Sequence, residues 1–236
     1  MSSNNFRFKK FTVCHDRCAM KVGTDGVLLG AWAETDNVHT ALDIGTGTGL
    51  IAIMLAQRSK ATIDGIEIDK LAFQQALENV DHCPWKERIQ VRHVSFQTYC
   101  KNENKKYDLI VSNPPYFSNS LKAPDSQRSV ARHNDILPFK DLVQGIPPLL
   151  ADEGKFCLIL PSESETFFLE IAKTYGLSCS KITRVNSKPG KSPYRSLIEL
   201  MKKPQVTQTS LLTVAENDGS YSREYKKLTA EFYLAF

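Results

Sequence analysis

Short apolar runs alternate with stretches of helical periodicity through the middle of this 236-residue chain. ALDIG (41–45) is the first run, and TGLIAIMLAQRS continues it as a helix with Leu50, Ile53, Met54 and Ala56 on its inner side. ATIDGIEID (61–69) is a second strand, followed by a helix through LAFQQALENV. RIQVRHV (88–94) is a third strand, and YDLIVSNPPY (107–116) a fourth that runs into a loop. A helix near residues 137–150 leads to the strand GKFCLILP (154–161), and a further helix covers 163–175. Strands that are apolar throughout, rather than at alternate positions, are buried on both faces, which predicts a mostly parallel sheet covered by helices.

The end of the chain breaks this rhythm. LSCSKITRV (177–185) and YRSLIELMKK (194–203) are joined by NSKPGKSP, whose Pro and Gly mark a turn, so an antiparallel hairpin is predicted at one sheet edge. YSREYKKLTAEFYLAF reads as a closing helix with Tyr221, Tyr225, Leu228 and Phe232 at helical spacing, suited to a core rather than to a ligand. There is no internal repeat and no low-complexity tract.

Composition adds limits. A hydrophobic share of 42% and a charged share of 24% are ordinary for a globular domain that builds its own core. The first residues lack an apolar export core, and no run of 18 apolar residues occurs, so a cytoplasmic chain without membrane spans is expected. Six scattered cysteines are then reduced thiols; Cys14 and Cys18 form a C-x3-C pair, but no second pair at zinc-like spacing accompanies it, and no metal is expected. None of the five histidines has metal spacing or a nucleophile partner, and no obligate protein partner is evident. The net charge of +4 says less than its distribution. Residues 181–203 hold seven Lys or Arg against Glu199, and residues 1–24 hold five against Asp16. Two such segments could frame an anionic ligand, or be solvated surface.

The chemistry concentrates in two loops. Asp43-Ile-Gly45-Thr-Gly47-Thr-Gly49 joins the first strand to the first helix, where glycines let the backbone turn sharply and approach a ligand. The spacing is G-x-G-x-G with an acid two residues ahead, which suits a cationic ligand better than a pyrophosphate. Glu67 ends the next strand, where its carboxylate can accept both hydroxyl protons of a ribose. Adenosine with a positively charged amino-acid end describes S-adenosylmethionine; NAD and a bare strand–helix turn are the alternatives. Asn113-Pro114-Pro115-Tyr116 follows the fourth strand, which in an open parallel sheet lies beside the first. The Asn113 amide oxygen and the Pro114 carbonyl can each accept an N–H of an exocyclic amine, whose lone pair is otherwise delocalised into its ring. The prolines fix φ and remove donors, and Tyr116 offers a ring face to a base. Catalysis of this kind is mostly positioning and needs no strong base.

Together DIGTGTG, Glu67 and NPPY resemble class I S-adenosylmethionine-dependent methyltransferases of the N6-adenine and N5-glutamine type. KVGTDGVLLGAW (21–32), SQRSVARH (126–133) and the C-terminal stretch are similar to bacterial tRNA1(Val) adenine-37 N6-methyltransferases over essentially the whole chain. The resemblance implies a Rossmann-like class I α/β fold: a seven-stranded, mostly parallel sheet, helices on both faces and an antiparallel edge hairpin. Residues 1–34 would form an N-terminal extension packed on the cofactor site, and 35–236 the methyltransferase domain. It implies cofactor contacts at Lys21, Thr24, Asp43, Gly45, Gly47 and Gly49. Glu67, Ile68, Ser95, Phe96 and Asn113 complete that set, Ser95 standing where the class usually has an acid after the third strand. Asn113, Pro114, Pro115 and Tyr116 would hold the target base, in tRNA. Phosphate contacts are expected from Arg128, Arg132, Lys188, Lys191 and Arg195. N5-methylation of a protein glutamine and RNA binding without catalysis remain alternatives.

Overall fold

The computed structural model describes residues 4–18, 20–115 and 137–236. The chain starts with a small antiparallel hairpin, β1 (Asn5–Arg7) and β2 (Thr12–Cys14), and then a buried helix, α1 (Thr24–Trp32). The alternating core follows as β3 (Thr40–Ile44), α2 (Leu50–Arg58), β4 (Thr62–Glu67), α3 (Lys70–Asp81), β5 (Ile89–His93), α4 (Phe96–Asn102) and β6 (Tyr107–Ser112). It continues through α5 (Phe139–Leu149), β7 (Leu150–Pro161), α6 (Glu165–Thr174), β8 (Ser178–Asn186) and β9 (Arg195–Met201). The last elements are β10 (Gln208–Thr213) and α7 (Arg223–Thr229).

Among the described residues, eight strands form one sheet in the order β10-β8-β9-β7-β6-β3-β4-β5. Pairs from β7 through β5 are parallel, as the continuous apolar runs require, and β9 is antiparallel to both of its neighbours. The sheet is Rossmann-like as expected, with one strand more than the seven predicted. The extra strand also moves the hairpin: β10 pairs in parallel with β8, so the hairpin is not the edge. Only Leu212 of β10 is buried, too little apolar signal to read a strand from sequence. The closing helix is likewise shorter than predicted. It stops at Thr229, and Phe232 reaches the core from the turn beyond it.

Alternate residues of each central strand serve opposite faces. Leu109 and Val111 of β6 pack with α1 and α2, whereas Ile110 joins Phe96, Leu142 and Phe168 under α4, α5 and α6. Burying each such side chain contributes about 1.5–3 kcal/mol. Helix starts follow capping chemistry: Asp69 accepts from Ala72 N ahead of α3, and Ser95 from Thr98 N ahead of α4. No helix among the described residues is long and apolar enough to cross a membrane.

Candidate active site

The chain leaves β3 for β4 on one side and returns to β6 on the other, so the strand order switches at β3. Loops at the carboxyl ends of these strands diverge there and leave a crevice. A cavity of about 460 Å³ occupies it, within the roughly 300–1,000 Å³ typical of cofactor sites. Gly45, Gly47, Glu67, Ile68, Phe96 and the Asn113-Pro114-Pro115 run all line it.

The glycine loop is held open by its backbone. Gly45, Gly47 and Gly49 have φ of 71°, 56° and 81°, a region that strains any other residue. Nothing lies within 4 Å of the place a Cβ would take at Gly45, so the loop forms an empty cradle on its cavity side. Glu67 fixes that shape. Its Oε2 accepts from Gly47 N at 2.8 Å, and its Oε1 from Ile68 N and Asp69 N, both at 2.9 Å. Three of the carboxylate's roughly four acceptor positions are therefore taken. The expected acceptance of two ribose hydroxyls narrows to about one while those bonds persist.

Asp43 does not line the cavity. It is fully buried beneath the loop, with Oδ2 accepting from Thr46 Oγ1 at 2.7 Å and from Ala52 N at 3.1 Å. Burial pushes its carboxyl up to about 7 against those two hydrogen bonds, and the nearby charge of Glu67 adds to the rise. Direct contact with a cationic ligand is thus replaced by a bracing role under the loop. Its Oδ1 has no hydrogen-bond partner among the described residues, a buried acceptor that calls for a donor. The open cradle, with the Glu67 carboxylate across it, fits a ligand carrying a hydroxyl- or N–H-bearing end.

On the other side of β3, Ser112 Oγ donates to Ile44 O at 3.0 Å and ties the end of β6 to that of β3. Asn113 follows directly, then the buried Pro114 and the exposed Pro115. Helix α1 runs alongside: a Cβ at Gly26 would lie 4.0 Å from Asn113 Nδ2.

A family model described as "Methyltransferase small domain" matches residues 19–134. Across 99% of both chains, 50% of residues are identical to the tRNA1(Val) (adenine(37)-N6)-methyltransferase of Bacteroides fragilis. The protein of that name from Trichodesmium erythraeum is 47% identical over 100% of both chains. The chain belongs to this methyltransferase family. Solved structures agree on the fold: a predicted O-methyltransferase from Agrobacterium tumefaciens superposes at a TM-score of 0.69, over 88% of this chain and 96% of that one, at 17% identity. A putative RNA methyltransferase from Pyrococcus horikoshii reaches 0.53, over 75% and 79%, at 16% identity.

Against the family expectations, other residues fall elsewhere. Ser95 does not line the cavity; its hydroxyl caps α4, accepting from Thr98 N at 3.2 Å and donating to Thr98 Oγ1 at 2.9 Å. Gly49 is the N-terminal cap of α2, and a Cβ there would lie 3.6 Å from Ala76 of α3. Lys21 and Thr24 do not line the cavity either; Cys18 and Met20 of the same segment do. Sequence reasoning missed these two, along with Asp69, Lys70, Gln97 and Leu137. Asp69 was detectable as a helix cap directly after Glu67, but nothing local marks Cys18 or Met20. Burial, with the charges of Glu67 and Asp69 adding to it, pushes the Cys18 thiol up to about 12, so it is no thiolate at neutral pH. Tyr116, Arg128 and Arg132 lie outside the described residues. Among the described residues no three His, Cys, Asp or Glu cluster as a metal would need.

The basic segments divide on folding. Lys181 pairs with Glu34, Arg184 with Glu165, Arg195 with Asp25, Lys202 with Asp152 and Lys203 with Glu153. Arg195, expected to meet phosphate, instead reaches Asp25 of α1 through Nε at 2.8 Å and donates to Tyr194 O. Lys188 and Lys191 occupy the β8–β9 turn, Lys188 donating to Asn217 O at 3.4 Å.

Proposed function

We propose that this chain is a cytoplasmic enzyme that transfers a methyl group from S-adenosylmethionine to N6 of adenine 37 in tRNA1(Val). The observation that carries the reading is the convergence of Asn113-Pro114-Pro115, Glu67 and the open glycine loop on one cavity. Its relatives carry the same reaction in their names.

The fitted cofactor supplies an electrophilic methyl group on a sulfonium sulfur. Glu67 has one acceptor position left for a ribose hydroxyl, and Ile66, Val94 and Phe96 give an apolar wall for an adenine ring. Glu67 places negative charge near a cationic end, while Asp43 braces the loop from beneath. Asn113 Oδ1 and the Pro114 carbonyl accept the two N–H groups of the target amine. Holding both protons turns the nitrogen lone pair out of the ring and toward the methyl group. Such positioning is worth up to about 7–11 kcal/mol, so no strong base is required. A base in a single-stranded loop enters the pocket at little unstacking cost. Arg128, Arg132, Lys188 and Lys191 are the candidates for phosphate contact.

The test is incubation of the purified chain with labelled S-adenosylmethionine and either total tRNA or total protein. Label is expected in tRNA1(Val), and lost from a transcript with adenine 37 replaced by guanine. Label in protein instead would establish the glutamine alternative, and absence of cofactor binding by calorimetry would leave only RNA binding.

A further inference from the structure

The described residues between β2 and α1, 15–18 and 20–23, run past one face of α3 and reach the cavity. Asn79 of α3, only 3% exposed, makes the principal contact. Its Oδ1 accepts from Cys14 N at 2.8 Å, and its Nδ2 donates to Cys14 O and to Thr48 O, each at 2.8 Å. Thr48 stands between Gly47 and Gly49. One buried amide therefore ties the N-terminal segment and the glycine loop to the same point. Both of its donor hydrogens are engaged, as is its acceptor oxygen.

Two neighbours on the same helical face extend the grip. Gln75 accepts from Arg17 N at 3.2 Å, and Glu78 takes the Arg17 guanidinium through two bonds of 2.8 and 2.7 Å. Positions 75, 78 and 79 lie on one side of the helix. Immediately beyond Arg17, Cys18 and Met20 enter the cavity wall. The segment then becomes α1, which passes Asn113 at Gly26.

We propose that Asn79 is a positioning residue that sets the N-terminal segment in register with the glycine loop, making that segment a wall of the cofactor site and governing how tightly S-adenosylmethionine is held. The inference rests on the methyltransferase reading and adds a residue that does not line the cavity. A merely structural amide would lower stability without separating binding from turnover. A positioning amide separates them, because the cavity wall moves while Asn113 and the prolines stay anchored at the end of β6.

N79D keeps an acceptor for Cys14 N–H but turns an oxygen toward the carbonyls of Cys14 and Thr48. In the folded variant the Kd for S-adenosylmethionine is expected to rise about tenfold or more, with kcat at saturating cofactor within about twofold of wild type. A second readout needs no activity: Cys18 should react faster with N-ethylmaleimide in N79D than in wild type, in the absence of cofactor. Unchanged Kd and unchanged Cys18 labelling in folded N79D overturn the proposal, as does a loss confined to kcat. Should N79D fail to fold, N79S, which keeps a small polar side chain but loses the bonds to Cys14 and Thr48, carries the same expected signs; wild-type values there overturn the proposal. A wild-type chain that binds no S-adenosylmethionine would overturn the proposed function, whereas the Cys18 labelling contrast reads the coupling independently of it.

Discussion

The two halves of the cavity are built by different means. On the glycine-loop side, shape depends on buried polar side chains: Asp43 under the loop, Glu67 across it, Asn79 behind it. On the Asn113 side it depends on two prolines and on a strand end pinned by Ser112 to β3. A hydrogen-bonded network can be weakened one bond at a time, and it responds to protonation. A conformational lock holds its shape through such changes and leaves Asn113 as the exchangeable chemical group. Damage to the first half should therefore appear in cofactor affinity and stability, and damage to the second in turnover.

The sharpest way to break that contrast is N113A. Its kcat/KM for tRNA should fall by about a thousandfold, roughly 4 kcal/mol, with cofactor Kd by calorimetry within about twofold of wild type. An equal loss in both measurements would mean that the halves are not separable.

Next in size is the pH response of Asp43. In the folded chain its carboxyl holds a proton to about pH 7, whereas an unshifted carboxyl releases it near 3.8. The folded state thus binds the extra proton between those values. Stability from this group is greatest at low pH, falls as pH rises toward 7, and is level above it, a span of a few kcal/mol at about 1.4 kcal/mol per pH unit. Denaturant melts of D43N should lack that slope; a slope equal to wild type would show that another group sets it.

E67A leaves three backbone N–H groups of the loop and β4 end without their acceptor. Cofactor Kd should rise by about thirtyfold, roughly 2 kcal/mol, with turnover at saturation far less affected than in N113A. The smallest effect is expected at the β8–β9 turn. K188A should weaken tRNA binding by under about 1 kcal/mol and reduce its salt dependence by about one counterion. Unchanged salt dependence would remove this lysine from the RNA interface.

Much of the sheet was legible because its signals are local. The parallel strands β3, β6 and β7 carry runs of apolar residues, and glycine and proline mark their own loops. Glu67 could be placed because a strand end fixes it relative to the loop about 20 residues earlier. What the sequence hid depends on distant partners. Arg195 looks like a free cation until the fold brings Asp25, 170 positions earlier, against it. Asp43 looks like a ligand contact until its strand position places it under the loop. Helix α1 is buried almost all round, so it lacks the polar stripe that reveals an amphipathic helix. Cys18 and Met20 reach the cavity only through a grip on α3, for which no spacing in the sequence gives notice.

The placement of β10 bears on how this protein behaves at high concentration. A sheet that ended at β8 would present the backbone donors and acceptors of a nine-residue strand to other molecules, a template for intermolecular pairing. β10 covers that row with six residues, four of them exposed, and is itself a shorter border. This late, weakly apolar strand thus acts as a guard against self-association. Deleting it should show first as loss of solubility, well before any loss of methyl transfer.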